Sequence, residues 1–446
     1  MRRVCFSAMS AILMSGLFAS MAAAQTADVD WPQWRGPNRD GKSSDTGLLK
    51  SWPEGGPKLL WQAKSIGQGF SSVSFGGGMI YITGRKDVDD PTELPDEEDI
   101  LKRPGNRFYI SAFDMDGNLK WRKDVAKAYM GSFKGTRGTV TYDKGNLYVE
   151  TGDGLLGCYD SKNGDLKWSR KAAEFEGEIA GFGERKASVF EDKAGGFGWG
   201  YCESTLIIDD MAILSPGGTS FMVALNKDTG KTIWKSEPFG PAQYVSPIHV
   251  VHEGIPMIIT GTHQGLFAVH AKTGKTLWSQ EFAKSNMASI PTPAFSDGYV
   301  FWAVGYGKGG ICMKLNVDGE KVVAEEAWRT KDMVCHHGGY VILDGYIYGN
   351  NNNGYACIEL ESGETKWEEK GVGKGSLVWA DGMLFLFGEK KGLVGLASCS
   401  PEGMEMKGTF NVDGFGPSWA HPVVIGGRLY IRYDDNLYCF DVSAGN

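Results

Sequence analysis

The stretch Ala224-Leu-Asn-Lys-Asp-Thr-Gly-Lys-Thr-Ile-Trp234 has an apolar start, a polar turn around a glycine, and a closing tryptophan. Four further stretches follow the same pattern, with the glycine always four residues before the tryptophan: Cys158 to Trp168, Ala268 to Trp278, Cys357 to Trp367 and, shorter by one residue, Ala112 to Trp121. A glycine at this position supplies the positive φ that a tight turn between two strands needs. The pattern therefore predicts one β-hairpin that is repeated along the chain.

Around each hairpin the sequence indicates the same four-strand unit, with a short strand and an aromatic-rich second strand before the two hairpin strands. Eight second-strand cores can be recognised: Met79 to Thr83, Leu147 to Thr151, Met211 to Ser215, Met257 to Gly261, Tyr299 to Val304, Tyr346 to Gly349, Met383 to Gly388 and Arg428 to Arg432. Units that cannot bury their own apolar faces stack on their neighbours. The sequence therefore predicts an all-β fold, an eight-bladed β-propeller.

The eighth unit supplies only three strands, within His421 to Val442, before the chain ends. Near the other end, Leu59-Leu60-Trp61-Gln62 has the composition of a fourth strand but no unit of its own. Pairing this N-terminal strand with the last blade would close the ring and leave no open edge at the seam. We therefore predict a signal peptide at 1–24, an N-terminal extension at 25–56 and a single propeller at 57–446.

Two insertions interrupt the expected blade period. One spans 85–107, between the second and third strands of blade one, and the other spans 172–198, between blades two and three. Loops of these two kinds emerge on the same face of a propeller, so we expect both insertions at one mouth of the ring. The acidic run Asp96 to Asp99 in the first insertion is interpreted as a solvated loop.

The N-terminus has the features of a secretory signal peptide. Met1-Arg2-Arg3 precedes an apolar run from Val4 to Ala22, and the small residues Ala22 to Ala24 precede Gln25. A transmembrane anchor is the less favoured alternative, because serines interrupt the run. We expect an exported monomer, periplasmic or secreted, with no transmembrane segment in the mature chain. The net charge of −8 argues against nucleic acid or an anionic membrane surface as a partner.

The cysteines do not suggest a disulfide framework. Of the eight in the chain, Cys5 lies in the predicted signal peptide, which leaves an odd number. Three occupy the repeat position that alanine fills in the other hairpins and are interpreted as small buried residues: Cys158, Cys357 and Cys439. Cys202 and Cys335 lie elsewhere in the repeat and remain candidate ligands or a candidate pair.

Candidate site residues lie where the first strand of each blade begins, because these strands start at one mouth and line the axial channel. The polar and aromatic residues at these positions are Gln68, Ser71, Arg137, Trp199, Tyr201, Glu203, Tyr244, Ser246, Asn286, Thr292, His336, His337, Lys374, Trp419 and His421. Several polar groups that converge in a concave mouth predict a binding site. Each residue could alternatively cap a strand or bond to a neighbouring blade without contacting any ligand.

Side-chain chemistry suggests roles for some of these residues. Arg137 and Lys374 are predicted to bind a carboxylate or another anion, and Trp199 and Trp419 to stack on a planar or sugar-like ligand. Glu203 and His336 are the candidate catalytic bases, since a carboxylate that is desolvated in a channel, or an imidazole, can titrate near neutral pH. Further ligand contacts are predicted from Tyr201, Ser246, Asn286, Thr292, His337 and His421.

The histidines allow a second interpretation. His336, His337 and His421 could bind a metal together with Glu203. Adjacent side chains on a strand point to opposite faces, so at most one of His336 and His337 is expected to face the axis. No metal site is predicted for this reason.

The pattern A-x-x-x-x-T-G-x-x-x-W resembles the tryptophan-docking repeat of pyrroloquinoline-quinone (PQQ) propellers, over nearly all of the chain after the signal peptide. Other stretches resemble the secreted PQQ-like propellers of planctomycete-type bacteria: Trp31 to Gly41 (WPQWRGPNRDG), Trp199 to Ser204 (WGYCES), His336 to Gly339 (HHGG) and Trp419 to Pro422 (WAHP). The resemblance implies a quinoprotein-like propeller, in which the repeat packs blades and does not itself bind the quinone.

Two groups of relatives imply different functions. Quinoprotein alcohol dehydrogenases imply oxidation of an alcohol or polyol with PQQ and calcium, but they typically carry adjacent cysteines, and this chain has none. Only Glu203 and Asn286 can be suggested as calcium ligands. The propeller lipoprotein that assists outer-membrane β-barrel assembly implies a scaffold, but the cysteine for its lipid anchor is missing. We expect a ligand-binding or protein-interaction scaffold, with a PQQ-dependent dehydrogenase and a carbohydrate- or polymer-binding propeller as alternatives.

Overall fold

The computed structural model describes residues 1, 31–86, 107–129, 133, 135–180, 186–187 and 199–445. These residues form 35 β-strands and one short 3-10 helix, Ala172–Phe175. Among them, no helix is long and apolar enough to cross a lipid bilayer. The predicted signal peptide lies outside the described residues.

The strands are numbered along the chain. The first six are β1 (Lys42–Ser43), β2 (Lys58–Ala63), β3 (Ser74–Gly76), β4 (Met79–Lys86), β5 (Arg107–Phe113) and β6 (Leu119–Lys127). Next come β7 (Thr141–Asp143), β8 (Asn146–Glu150), β9 (Leu155–Asp160), β10 (Leu166–Lys171), β11 (Ile179–Ala180), β12 (Lys186–Ala187), β13 (Leu206–Ile208), β14 (Met211–Leu214), β15 (Val223–Asn226) and β16 (Thr232–Lys235). They are followed by β17 (Ile248–His252), β18 (Ile255–Gly261), β19 (Gly265–His270), β20 (Thr276–Glu281), β21 (Ala294–Ser296), β22 (Tyr299–Val304), β23 (Gly309–Asp318) and β24 (Lys321–Thr330). The last are β25 (Tyr340–Leu343), β26 (Tyr346–Asn350), β27 (Tyr355–Glu359), β28 (Thr365–Glu369), β29 (Gly375–Ala380), β30 (Met383–Gly388), β31 (Leu393–Ser400), β32 (Gly403–Asn411), β33 (Val423–Ile425), β34 (Arg428–Tyr433) and β35 (Asn436–Asp441).

Eight antiparallel sheets form the blades of a propeller, which confirms the predicted fold. Blades one to seven use β3–β6, β7–β10, β13–β16, β17–β20, β21–β24, β25–β28 and β29–β32, and blade eight uses β33–β35 with β2. All eight predicted second-strand cores lie in second strands. These strands are sandwiched between blades, so β30, for example, is buried at every position, whereas the outer strand β28 is half-buried or exposed.

The ring closes as predicted, through the N-terminal strand β2. It pairs antiparallel with β35, and Trp61 lies opposite Cys439. The indole of Trp61 then packs on Gly117 in the hairpin turn of blade one and donates a hydrogen bond to the carbonyl of Met115 at 3.1 Å. The two ends of the chain therefore join blade eight to blade one.

The same contact explains the repeated glycine and tryptophan. The indole of Trp168 in blade two packs on Gly230 in blade three, where a Cβ atom would lie 2.7 Å from the ring. Its Nε1 donates to the carbonyl of Lys227 at 2.8 Å. Gly230 also has a φ of +68°, so both the turn and the indole require glycine there. Equivalent indole–glycine contacts are Trp121 on Gly164, Trp234 on Gly274 and Trp328 on Gly363.

The N-terminal extension has a role that the sequence did not indicate. Residues Trp31–Gly41, called the plug segment below, contact the first strand, or the turn leading into it, in one blade after another. The amides of Phe75, Tyr142 and Trp379 donate to the carbonyls of Trp31, Pro32 and Gly41. After the plug segment, β1 pairs in parallel with the end of β29. Contacts to strands all around the axis place the plug segment inside the channel, below the mouth.

Two arginines fix the plug segment. Arg39 donates to the carbonyls of Ser204 (2.8 Å), Thr205 (2.5 Å) and Pro247 (2.9 Å), which joins it to blades three and four. Arg35 donates to the carbonyl of Tyr340 in blade six at 2.5 Å. Both side chains are buried, so their charges are compensated mainly by peptide carbonyls rather than by water.

Candidate functional site

A cavity of about 180 Å³ lies at the mouth, above the plug segment. Most of its walls come from residues just before the first strands of the blades, which is where the sequence placed the candidate site. The lining residues are Trp34, Phe70, Phe133, Arg137, Trp199, Cys202, Ser204, Tyr244, Ser246, Ala288, Ile290, Tyr306, His336, His337, Trp419 and His421.

Aromatic rings form much of the wall. Trp419 packs against Phe70 and Phe133, with ring centroids 4.7 and 5.0 Å apart. Across the cavity, Trp199 packs against Tyr244 at 5.6 Å. Such walls offer flat apolar surface to a flat ligand.

The plug segment contributes part of the floor through Trp34, whose role the sequence did not suggest. Its indole packs against the ring of His421 at 4.6 Å, and its Nε1 donates to the hydroxyl of Thr292 at 3.0 Å. Folding of the N-terminal extension is therefore required to complete the cavity.

Eight of the predicted site residues line the cavity: Arg137, Trp199, Tyr244, Ser246, His336, His337, Trp419 and His421. The predicted anion contact of Arg137 competes with bonds inside its own loop, because the guanidinium donates to the carbonyls of Phe133 and Gly135, both at 2.8 Å. The guanidinium also stacks over the ring of Tyr129. Arg137 therefore also holds Phe133 at the rim.

Other predicted residues do not line the cavity. Tyr201 donates its hydroxyl to the carbonyl of Pro216, and Asn286 donates its amide to Ala288 within its own loop. Thr292 contacts Trp34, as described above. These three residues have structural contacts that account for their positions.

Lys374, predicted to bind an anion, instead pairs with Glu389 at 2.9 Å. The same carboxylate oxygen accepts a hydrogen bond from Nε1 of Trp419 at 2.8 Å. Burial alone would raise the pKa of Glu389, but the bonds from Trp419 and Lys374 outweigh it and hold the pKa below its ordinary value. Glu389 follows a second strand, so it lies outside the starts of the first strands, from which the candidate site was predicted.

Both adjacent histidines line the cavity, so the expectation that at most one faces the axis is wrong. The chain bends at His336 and His337 before β25 begins, and strand alternation does not apply. The bend lies against blade seven, where Gly338 packs so tightly on the carbonyl of Gly375 that a Cβ would not fit. The two imidazole rings lie 5.6 Å apart and nearly perpendicular.

The imidazoles at the mouth are neutral. Burial lowers the pKa of His336 to about 4, that of His421 to about 3, and that of His337 well below the ordinary value. His336 shares a hydrogen bond with the hydroxyl of Tyr306 at 3.0 Å, and His421 donates from Nε2 to the carbonyl of His337 at 2.9 Å. Among the described residues, neither ring nitrogen of His337 has a hydrogen-bond partner.

Glu203, the other predicted catalytic residue, lies outside the cavity and forms a buried group with Glu150 and Arg39. Burial raises the pKa of Glu203 to about 8, partly offset by Ser215 and by the charge of Arg39. Burial and the charge of Glu203 raise the pKa of Glu150 well above its ordinary value. Because one cation, Arg39, lies beside two buried carboxyl groups, Glu150 and Glu203 together retain at least one proton at neutral pH.

The cysteines are all free among the described residues, including the candidate pair Cys202 and Cys335. Cys202 lines the cavity, but burial raises the pKa of its thiol to about 12. The predicted small buried positions are confirmed for Cys158, Cys357 and Cys439. A thiol with so high a pKa is a poor nucleophile at neutral pH.

The residues of the mouth do not match what PQQ and calcium require. PQQ is a flat tricarboxylate, yet Arg137 bonds to its own loop and the charge of Lys374 is neutralised by Glu389. Calcium takes about six to eight oxygen ligands. Of the two suggested ligands, Glu203 is buried beside Arg39 and Glu150, and neither Glu203 nor Asn286 lines the cavity.

The eight blades and the repeated contact of a tryptophan with a glycine of the next blade define a PQQ-like repeat β-propeller. The chain belongs to the family described as outer membrane protein assembly factor BamB, whose model matches residues 106–368. A curated relative, an uncharacterised protein of Rickettsia conorii, is 25% identical over 276 residues. That match covers 58% of this chain and 58% of the relative's length.

Solved structures share the fold. BamB from Moraxella catarrhalis is 14% identical with a TM-score of 0.57, and the match covers 87% of this chain and 98% of that one. Quinohemoprotein alcohol dehydrogenase from Comamonas testosteroni is 12% identical with a TM-score of 0.60, with coverage of 95% and 82%. At these identities the similarity concerns the fold alone, so the function must be argued from the cavity.

Proposed function

We propose that the chain is an exported binding protein that takes a flat aromatic or heteroaromatic small molecule into the mouth cavity. The observation that carries the proposal is the combination of aromatic walls with buried imidazole nitrogens that lack partners among the described residues. Cleavage of the predicted signal peptide after Ala24 is part of the proposal.

The size of the cavity favours a ligand of one or two fused rings. A cavity of about 150 Å³ is large enough to hold benzene, and this cavity measures about 180 Å³ and is open at the mouth. The indole of Trp419 can stack on the face of an aromatic ligand. His337 offers one hydrogen-bond donor and one acceptor to the polar edge of the same ligand. A neutral ligand fits better than an anion, because the nearby cations are already bonded.

The experiment is a titration of quinoline and indole, as two-ring probes, into the full chain, followed by tryptophan fluorescence and calorimetry. We expect saturable binding at one site per chain. Trp419→Ala should weaken it by about tenfold or more, since a stacked aromatic contact and its buried area contribute on the order of 1–2 kcal/mol.

The matched control is Phe415→Ala, which removes a ring on the same face but outside the cavity, where the side chain is 81% exposed. Binding to this variant should match that of the unmodified chain. If Trp419→Ala binds both probes as well as the unmodified chain does, the cavity is not the binding site and the proposal fails.

A protein-interaction scaffold is the second candidate function. Four exposed side chains lie in loops on the mouth face, around the cavity: Phe133, Met287, Tyr306 and Phe415. Exposed apolar side chains in one region are a feature of interaction surfaces. In that case Phe415→Ala would weaken capture of a partner without changing binding of quinoline, which separates the two functions.

A further inference from the structure

Three side chains that could bind a metal ion come together from two blades beside the mouth cavity. His336 and His337 lie in the bend before blade six, and Glu389 follows the second strand of blade seven. One potential ligand atom from each side chain lies within 4.8 Å of the others. Three potential ligand groups from two separate parts of the chain therefore lie close to one another.

The polar atoms of this cluster are not fully used by the protein. His337 is 5% exposed, and neither of its ring nitrogens has a hydrogen-bond partner among the described residues. Nδ1 of His336 is likewise buried without a partner in this part of the chain. A buried polar atom without a partner costs about 1–3 kcal/mol, which a bound ion would offset by accepting the lone pair.

We propose that His336, His337 and Glu389 form a site for a divalent transition-metal ion such as Zn²⁺. Two imidazoles and a carboxylate are a ligand set found in zinc sites, whereas calcium and magnesium prefer oxygen ligands alone. A tetrahedral ion with bonds of about 2.0–2.1 Å has its ligands roughly 3.3 Å apart. The side chains therefore need to approach by up to about 1.5 Å, which rotation of Glu389 and His336 can supply.

Because His336 and His337 line the cavity, the fourth position of such an ion would be open to the cavity. It remains for a water molecule or for the polar edge of a ligand, as in zinc sites that bind substrates. The metal site stands independently of the proposed heteroaromatic ligand, because it can be tested with the metal alone.

Lys374 provides a test that separates a metal site from an anion site. Its ammonium group lies 2.9 Å from Oε1 of Glu389 and opposes binding of a cation there. Lys374→Met should therefore tighten Zn²⁺ binding by about tenfold or more, which is the effect of one charge a few ångströms from a divalent ion even at a dielectric constant near 80. An anion site would instead lose affinity for its ligand in the same variant.

The experiment uses the full, untagged chain after treatment with a chelator. Zn²⁺ is titrated by calorimetry, and Co²⁺ is added separately so that its visible absorption reports the coordination geometry. We expect one Zn²⁺ per chain and a tetrahedral Co²⁺ spectrum. His336→Ala and Glu389→Gln should each weaken Zn²⁺ binding about 10- to 100-fold or more, because each removes a ligand.

The matched control is His270→Asn, which removes an imidazole from the hairpin turn of blade four, away from the mouth. It should bind Zn²⁺ as the unmodified chain does. Circular dichroism shows whether each variant is folded, and Lys374→Met provides a gain of affinity that misfolding cannot produce.

The proposal is overturned if the unmodified chain binds no Zn²⁺ stoichiometrically, or if His336→Ala and Glu389→Gln bind it unchanged. It is also overturned if inorganic phosphate, but not Zn²⁺, binds and Lys374→Met abolishes that binding. If the unmodified chain binds Zn²⁺ but does not bind quinoline, only the proposed heteroaromatic ligand is contradicted, and the metal site is not.

Discussion

The buried carboxyl pair beneath the mouth makes stability depend on pH in a defined direction. Glu150 and Glu203 are 3% and 4% exposed, and burial raises the pKa of Glu203 from an ordinary value of 4.5 to about 8. Because the folded state holds this proton more tightly than the unfolded state, the associated stability is present below pH 4.5. It is lost as the pH rises towards 8.

The size of the pH effect on stability follows from the difference between the raised pKa of Glu203 and its ordinary value. Each pH unit between the two pKa values changes the free energy of unfolding by about 1.4 kcal/mol per group. From pH 5.5 to 7.5, Glu203 should therefore lower the stability of the unmodified chain by about 3 kcal/mol. Glu203→Gln keeps the shape of the side chain but has no proton to lose, so the pH dependence of its stability should lack this contribution of about 3 kcal/mol, while the contribution of Glu150 remains.

The assay is urea-induced unfolding, measured by tryptophan fluorescence at pH 5.5, 6.5 and 7.5 for the unmodified chain and the variant. Glu320→Gln, in the exposed turn of blade five, is the matched control and should leave the pH profile unchanged. The prediction is contradicted if Glu203→Gln has the same slope as the unmodified chain. The comparison between the two chains decides the test, because the buried neutral imidazoles of His336, His337 and His421 add a pH-dependent stability of opposite sign to both.

Three further predictions concern the fold. Arg39→Met removes the donor to three buried carbonyls and the cation beside the carboxyl pair, so urea unfolding should show a loss of about 3–5 kcal/mol. Trp61→Ala removes the closing contact of the ring and should speed amide hydrogen exchange in blade eight more than in blade four. Gly230→Ala should destabilise the chain more than Gly254→Ala, because both glycines have positive φ but only Gly230 packs against an indole. Equal thermal shifts for the two glycine variants would contradict the docking explanation.

The propeller could be predicted because its determinants are local and repeated. The hairpin of blade three, for example, carries both the glycine that accepts one indole, Gly230, and the tryptophan that docks on the next blade, Trp234. Blade five shows the limit of the pattern. Its hairpin strands have ten residues each, and Gly319 in its turn has no indole against it.

The plug segment could not be predicted because its contacts are distant in sequence. Arg39 binds carbonyls of residues 165 to 208 positions away, and no local pattern near Arg39 identifies those partners. The role of Trp34 in the cavity floor depends on the same long-range contacts. The burial of Arg39 cannot be deduced from the polar residues around it in sequence, because it depends on the channel that the propeller forms around the plug segment.

The candidate site could be predicted in part. The starts of the first strands do converge, which places Trp199, Trp419 and the histidines around one cavity. The orientation of His337 could not be deduced, because strand alternation was assumed where the chain bends. Glu389 lies in a loop between a second and a third strand. Loops of this kind emerge at the mouth, so the sequence does allow their polar residues, Glu389 among them, to be predicted as site candidates.

The most direct test of the proposed function is a crystal structure of the full chain soaked with the tighter-binding of quinoline and indole. We predict electron density for one molecule in the mouth cavity, stacked on Trp419 and with its nitrogen within hydrogen-bond distance of a histidine side chain. Density only outside the cavity, or an empty cavity at a probe concentration that saturates binding in solution, would contradict the proposal.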